Sequence, residues 1–215
     1  MKNLVIFDLD GTLLNTIADL AEATNHALET MGYPLHSIPS YTNMVGNGVT
    51  KLLERALPDE ARTTRIVEAM RTHFREYYDV HCADNTTIYT GISELLAELT
   101  NRDINCAVCS NKYQSAVKML IDHFFPEIPW VAVLGHEEGV PVKPDPSIVF
   151  HALLECPTDK GNVLYVGDSG VDMETARRAC VESCGVTWGF RPRHELMANY
   201  ADHIVTNPDD ILSLV

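Results

Sequence analysis

Near its N-terminus the sequence reads Leu4-Val5-Ile6-Phe7-Asp8-Leu9-Asp10-Gly11-Thr12-Leu13, and this segment constrains the fold more than any other. Its four consecutive apolar residues, 4–7, predict a short strand buried on both faces of a sheet. Two carboxylates, Asp8 and Asp10, follow this strand directly. Carboxylates are rarely buried unless they are paired or bind a metal, so their position at the end of a core strand predicts a chemical role. Gly11 allows the chain to turn there and to redirect the second carboxylate.

A simpler interpretation of the same residues is a turn at the end of a strand, because Asp-Gly is a common turn dipeptide. The full pattern decides against it. Asp8-x-Asp10-x-Thr12 after an apolar strand resembles the first motif of the haloacid dehalogenase (HAD) superfamily, whose phosphatases carry Asp-x-Asp-x-Thr at this point.

The composition is that of a folded soluble protein, with 46% apolar and 21% charged residues among 215. Its 16 basic and 30 acidic residues give a formal net charge of −14. This charge repels nucleic acid and anionic membranes, so we expect neither as a partner. An anionic substrate would instead need a local cluster of lysines or a metal ion. We expect a monomer or a weak homodimer.

No apolar run approaches the ~18 residues of a membrane span, and the run at 4–7 is too short for a signal peptide. We therefore expect a cytoplasmic protein whose six cysteines are reduced. The spacing Cys106-x-x-Cys109 suits zinc or redox chemistry. Because it lies within a predicted strand and has no matching second pair, we interpret it as core packing.

Two regions of different character follow the first strand. Residues 16 to 83 are predicted to be almost entirely helical, with helices starting at Thr16, spanning Val49–Leu57 and running from about Asp59 to Tyr78. From Ile88 onward strands and helices alternate, which predicts a parallel sheet with helices on both faces. The predicted fold is therefore α/β and Rossmann-like, with a core of residues 1–15 and 84–215 and a small all-helical domain, 16–83, inserted after the first strand. Later strands are predicted at 104–109, 130–134, 163–166, 185–188 and 203–206.

Three further polar clusters follow predicted strands or precede helices. They are Ser110-Asn111-Lys112, Lys143-Pro144-Asp145-Pro146 and Gly167-Asp168-Ser169-Gly170-Val171-Asp172. Each has an ordinary interpretation by itself: a helix cap, an exposed loop lysine and a capping turn. Ligands of parallel sheets gather beyond the carboxyl ends of the strands, so the clusters together predict one site at the edge that carries Asp8.

In order, type and spacing these clusters resemble the four motifs of HAD phosphatases, and the resemblance covers the whole chain, including a helical cap. Within that superfamily the chain is most similar to phosphoglycolate phosphatases. Val45-Gly46-Asn47-Gly48 resembles their cap loop, and Gly185–Phe190 resembles their late strand and turn. Asn15 departs from the pattern, because relatives often carry Asp there. Ser110 stands where a Thr is common and keeps the hydroxyl.

The resemblance implies a Mg²⁺-dependent phosphomonoester hydrolase. Asp8 would attack phosphorus and form an aspartyl-phosphate, and Asp10 would protonate the leaving alcohol and then activate water. Mg²⁺ would be bound by Asp8, the backbone carbonyl of Asp10, and Asp168.

The resemblance also implies roles for the remaining motif residues. Ser110, Asn111 and Lys143 would hold the phosphoryl oxygens, and Asp172 would support Lys143 or the metal-bound waters. The helical cap would open for exchange and close over a small phosphorylated metabolite such as 2-phosphoglycolate.

Several alternatives share parts of this pattern. A dehalogenase does not need the second aspartate as an acid, and a receiver-type signalling module lacks a helical insert after its first strand. A phosphosugar mutase of the β-phosphoglucomutase type, a pyrophosphatase or a nucleotidase keeps the core motifs. In the cap, Gly46-Asn47-Gly48 either contacts the leaving group or only joins two helices.

Overall fold

A six-stranded parallel sheet with the strand order β5-β4-β1-β6-β7-β8 forms the centre of the molecule. The computed structural model describes residues 2–215. The strands are β1 (Leu4–Phe7), β2 (Leu14–Asn15), β3 (Thr87–Ile88), β4 (Asn105–Tyr113), β5 (Trp130–His136), β6 (Val163–Gly167), β7 (Glu182–Val186) and β8 (His203–Val205). The helices are α1 (Ile17–Thr30), α2 (Val49–Ala56), α3 (Thr64–His81), α4 (Ile92–Asn101), α5 (Gln114–Phe124), α6 (Ser147–Glu155), α7 (Gly170–Ala179) and α8 (Arg193–Ala198). This architecture confirms the predicted α/β class.

Strand β1 lies in the middle of the sheet, between β4 and β6. Its four side chains are fully buried and alternate between two apolar clusters. Val5 and Phe7 belong to the cluster that contains α4 and α5, and Leu4 and Ile6 belong to the one that contains α6 and α7. Helices therefore cover both faces of the strand that leads into Asp8.

Residues 16–83, called the helical segment below, contain α1, α2, α3 and two short 3₁₀ turns, with no strand. Helix α3 packs against α1 and α2, and apolar side chains such as Leu20, Leu53 and Phe74 are continuous with the sheet's own cluster. The predicted helix from about Asp59 to Tyr78 is divided in the structure. A 3₁₀ turn ends at Ala61, and α3 begins after Thr63, whose hydroxyl accepts a hydrogen bond from the Ile66 N–H.

The two connections between the helical segment and the sheet pair with each other. Strands β2 and β3 form a small antiparallel ladder in which Leu14 lies opposite Ile88. The buried carboxylate of Asp19 in α1 accepts hydrogen bonds from the backbone N–H groups and side chains of Asn85 and Thr86, at 2.7–3.1 Å. Two-residue strands give no periodic signal, so the sequence did not predict this junction.

Strands β4 and β7 differ most from their predicted bounds. Strand β4 continues past Cys109 to Tyr113, with a register shift against β5, so that Ser110 lies within the strand. The Gln114 side chain bonds to the backbone of β5 and fixes this extension. Strand β7 begins at Glu182, three residues before its predicted start, because its polar first residues pair in parallel with β6.

The cysteine pair of β4 is buried. Burial raises the pKa of both the Cys106 and the Cys109 thiols to about 12, so both are protonated at neutral pH. Within residues 2–215, no helix combines the length and the apolar character that a membrane crossing requires.

We expect Asp19→Ala to lower the free energy of unfolding by about 2–3 kcal/mol, because it leaves the buried Thr86 N–H and hydroxyl without a charged acceptor. Denaturant titration measures this change. The matched control is Asp122→Ala, an exposed carboxylate paired with Lys118, which should change the free energy by less than about 0.5 kcal/mol. Equal effects of the two substitutions would show that Asp19 does not stabilise the junction.

Candidate active site

Four sequence-predicted charged residues meet at the carboxyl end of the sheet. Asp8 follows β1, Asp168 follows β6, and Asp172 lies in the first turn of α7. Carboxylate oxygens of these three residues lie within 4.8 Å of one another. The Lys143 ammonium enters the group from a loop, 2.9 Å from Asp8 Oδ1 and 2.7 Å from Asp172 Oδ1. All four side chains are buried.

The Lys143 ammonium is surrounded by oxygen atoms of other residues. It also donates hydrogen bonds to the Cys109 carbonyl (3.0 Å) and the Tyr165 hydroxyl (3.1 Å). Burial alone would lower the pKa of Lys143, but the charges of Asp172 and Asp8 raise it well above its usual range. The lysine is therefore permanently positive and fixed in place.

The carboxylates outnumber this one cation. Burial raises the pKa of Asp8 to about 7, an effect that Lys143 opposes and Asp172 reinforces. Burial, followed by the charges of Asp172 and Asp8, also raises the pKa of Asp168 well above its usual range. With all three carboxylates ionised, the cluster carries more negative charge than Lys143 neutralises.

The donor set fits a divalent cation. Asp8 Oδ1 is buried, and no donor among residues 2–215 reaches it with hydrogen-bond geometry, although Lys143 Nζ lies 2.9 Å away. Carboxylate oxygens that are buried, close together and in excess of positive charge are the ligands that Mg²⁺ prefers. Asp172 differs from the other two, because Lys143 occupies its Oδ1 and the Ser169 N–H and hydroxyl occupy its Oδ2.

Gly11 is required where it stands. Its φ of +84° favours glycine, and a Cβ at this position would overlap the Asp168 carboxylate. The Phe190 N–H donates a 2.6 Å hydrogen bond to Oδ2 of the same carboxylate. The turn after β1 and the turn after β7 therefore fix Asp168 between them.

Asp10 points away from that cluster. Its Oδ1 accepts a 2.7 Å hydrogen bond from the Thr16 hydroxyl and lies 3.2 Å from Lys112 Nζ. The predicted helix start at Thr16 is confirmed, since Thr16 is the N-cap residue of α1, but its hydroxyl donates to Asp10 and makes no capping hydrogen bond. The second carboxylate of the motif thus has its own cation and lies next to the first residues of the helical segment.

Ser110 and Asn111 lie beside Lys143 but in different environments. Ser110 is buried and lines the cavity between the sheet and the helical segment. The Asn111 amide donates to the carbonyls of Gly46 (3.0 Å) and Lys143 (3.1 Å) and accepts from the Lys143 N–H (2.7 Å). Its side chain therefore joins two loops and is already hydrogen-bonded at both its nitrogen and its oxygen.

The cavity above Asp8 and Asp10 has a volume of about 40 Å³, room for only a few water-sized groups. Its roof is largely apolar. The apolar side chains of the helical segment that line it are Leu20, Val45, Val49, Leu52 and Phe74. Gly46 and Gly48 also line it, whereas Asn47 accepts a 2.7 Å hydrogen bond from Arg55 within the helical segment.

Among the residues that line this cavity, sequence reasoning gave no individual role to Lys112, Tyr78 and Arg191. Lys112 belongs to a predicted polar cluster and is buried because β4 extends to Tyr113, and Tyr78 was only the end of a predicted helix. Arg191 donates to the carbonyls of Thr42 (2.7 Å) and Val45 (2.8 Å), a contact across 149 residues that no local pattern indicates.

We expect Lys143→Met to lower the free energy of unfolding by about 3–5 kcal/mol at pH 7.5 in the presence of a chelator, because it leaves buried carboxylates without their cation. The loss should shrink at pH 5. Asp8 titrates at about 7 in the folded protein and at about 4 when unfolded, so its contribution to stability falls as the pH rises between these values. Denaturant titrations at both pH values measure the effect. The exposed Lys118→Met is the matched control, and a pH-independent loss would contradict the electrostatic account.

Comparison with known proteins places this geometry in a family. Residues 5–186 match the family model for haloacid dehalogenase-like hydrolases. The chain is 30% identical over 217 residues to a phosphoglycolate phosphatase of Vibrio parahaemolyticus, covering 99% of this chain and 95% of the relative. It is 33% identical over 197 residues to the phosphoglycolate phosphatase of Cereibacter sphaeroides, covering 89% of each.

A solved structure agrees with these sequence matches. A crystal structure from Haemophilus somnus, described as a predicted phosphoglycolate phosphatase, superposes with a TM-score of 0.91 at 27% identity and covers 99% of this chain and 97% of its own. The chain therefore belongs to the haloacid dehalogenase-like hydrolases.

Proposed function

We propose that this protein is a Mg²⁺-dependent phosphatase that hydrolyses a small phosphomonoester through an aspartyl-phosphate on Asp8, with 2-phosphoglycolate as its substrate. One observation carries the proposal: the buried Asp8 carboxylate lines the cavity between the sheet and the helical segment, and its Oδ1 lies 2.9 Å from the Lys143 ammonium without a well-aligned hydrogen bond. The names of the relatives support the choice of substrate.

Asp8 is the group that attacks phosphorus. Both the carboxylate and the phosphate are anionic, so the approach requires neutralised charge. We assign Lys143 and the Ser110 hydroxyl to the phosphoryl oxygens. Because the Asn111 side chain is used by two loop carbonyls and a loop N–H, we assign to Asn111 its backbone N–H only.

The residues that would hold Mg²⁺ are Asp8, Asp168 and the backbone carbonyl of Asp10. When bound, the ion neutralises charge on the phosphate and on the attacking carboxylate. Asp172 orients Lys143 through its 2.7 Å contact and is itself oriented by Ser169. Gly11 and Phe190 hold Asp168 at the edge of the cluster.

Asp10 acts as the general acid and then as the general base. It protonates the leaving oxygen in the first step and deprotonates the water that hydrolyses the aspartyl-phosphate in the second. Its hydrogen bond from Thr16 places it at the junction with the helical segment, so its position depends on that segment.

We assign residues 16–83 to a cap domain and residues 1–15 and 84–215 to the core. Hydrogen bonds from Arg191 and Asn111 of the core to carbonyls in residues 42–46 support a closed state of this cap. Substrate entry then requires these bonds to break, with the β2–β3 ladder as the hinge. A cavity of about 40 Å³ favours a small leaving group over a nucleoside.

We expect a chelator to abolish phosphatase activity and Mg²⁺ to restore it. Asp168→Ala should raise the Mg²⁺ concentration for half-maximal activity at least about tenfold, because it removes a charged ligand. It should also reduce the rise in melting temperature that Mg²⁺ causes in the wild type. Asp122→Ala is the control. Full activity in excess chelator would contradict the metal assignment.

The two aspartates of the first motif should have separable roles. Asp8→Asn should lower kcat at least about a thousandfold and leave no acid-trapped phosphoenzyme. Asp10→Asn should lower kcat about 10²- to 10⁴-fold, most for esters of poor leaving groups, since these need the proton most. Rapid-quench kinetics with mass spectrometry measures both. Wild-type turnover by Asp8→Asn, with reversion by deamidation excluded by mass, would overturn the covalent mechanism.

A further inference from the structure

A second lysine, Lys112, faces the cavity from its other side. Its ammonium lies 3.2 Å from Asp10 Oδ1 and donates a 2.8 Å hydrogen bond to the Tyr78 hydroxyl of α3. Only 3% of its side chain is exposed, and Tyr78 is fully buried. Unlike Lys143, this lysine does not contact the Asp8 cluster.

The pair keeps unused donors. A lysine ammonium has three N–H groups, and its polar partners among residues 2–215 are Asp10 and Tyr78. The Tyr78 hydroxyl accepts from Lys112, and its own proton has no acceptor in the described chain. Burial and the Asp10 charge raise the pKa of Tyr78 well above its usual range, so the hydroxyl remains a donor. At least two hydrogen-bond donors of one small site thus have no acceptor among residues 2–215.

The contact of Lys112 with Asp10 indicates which part of the substrate these donors would bind. This step depends on the proposed function, in which Asp10 touches the leaving oxygen. Lys112, in contact with Asp10, then lies on the leaving-group side of phosphorus. The cavity's other cation, Arg191, already donates to the carbonyls of Thr42 and Val45, which hold part of its guanidinium away from Asp10. Apart from Tyr78, the side chains of the helical segment that line the cavity are apolar, so Lys112 is the cation beside Asp10 that keeps an unused donor for an anionic leaving group.

We propose that Lys112 and Tyr78 form a subsite for a carboxylate carried by the leaving group, and that this subsite selects phosphorylated 2-hydroxy acids over neutral phosphomonoesters. The Lys112 ammonium pairs with the carboxylate, and the Tyr78 hydroxyl donates to its second oxygen. A neutral leaving group would leave both donors partly unsatisfied in a buried site, which costs binding free energy.

The competing explanation is that Lys112 only positions Asp10. A positioning role predicts the same proportional loss for two esters whose leaving alcohols need the proton equally, such as two esters of primary alcohols. A carboxylate subsite predicts a larger loss for the ester whose leaving group carries a carboxylate. The ratio of kcat/KM for the two esters therefore separates the two roles, whereas kcat/KM for a single ester does not.

The experiment compares 2-phosphoglycolate with 2-hydroxyethyl phosphate, in which an alcohol replaces the carboxylate. We expect the wild type with Mg²⁺ to prefer 2-phosphoglycolate in kcat/KM, and Lys112→Met to reduce this preference about 10- to 100-fold, the usual value of a charge-assisted hydrogen bond. Tyr78→Phe keeps the buried ring and should reduce the preference about 3- to 10-fold, with the loss mainly in KM. The exposed Lys118→Met should leave the ratio unchanged.

Other results overturn the proposal. Equal loss on both esters would assign Lys112 to Asp10 alone. A wild type that hydrolyses both esters equally well would remove the carboxylate subsite and leave the phosphatase function intact. A wild type that hydrolyses neither ester would overturn the proposed function as well. Should Lys112→Met not fold, an unchanged ratio in Tyr78→Phe would be sufficient to reject the subsite.

Discussion

The buried contact of Lys143 with Asp8 and Asp172 is the interaction on which the rest of the site depends. Three carboxylates from β1, β6 and α7 converge beyond the sheet, and one permanently charged lysine balances only part of their charge. Burial first, and then the charges of neighbouring carboxylates, raise the pKa of Asp8 and of Asp168, and the unbalanced negative charge favours a further cation. The same electrostatic imbalance that weakens the fold locally creates the place where phosphate chemistry can occur.

The sheet topology produces this convergence. Because β1 lies between β4 and β6 and all three are parallel, their carboxyl ends deliver Asp8, Ser110 and Asp168 to one edge. The chain enters the helical segment shortly after the Asp8 motif, through β2, and returns to the sheet through β3. The helical segment is therefore held above the carboxyl edge of the sheet. Position in the sheet and connection order therefore account for both halves of the cavity.

Much of this was predictable from the sequence, and the exceptions have a common cause. Asp8 and Asp168 follow strands, Asp172 lies in the first turn of a helix and Lys143 lies in a loop. Local patterns made them candidates, and the resemblance to the HAD motifs gave them roles. Lys112 is polar within a segment predicted to start a helix, and only the extension of β4, fixed by side-chain bonds to β5, turns it into the cavity. Pairings between segments that are distant in the sequence cannot be predicted from the local residue pattern of either segment. The hydrogen bond of the Thr16 hydroxyl was not predictable for the same reason, since its partner Asp10 is six residues away and not in the helix.

The central claim is that the phosphoryl group is transferred first to the Asp8 carboxylate and only then to water. The stereochemical course at phosphorus tests it most directly, using a thiophosphate monoester made chiral with oxygen isotopes and hydrolysed in isotopically labelled water. Two successive in-line displacements, first by Asp8 and then by water, predict overall retention of configuration. Inversion would mean that water attacks the substrate in a single step, and it would contradict the assignment of Asp8 as nucleophile.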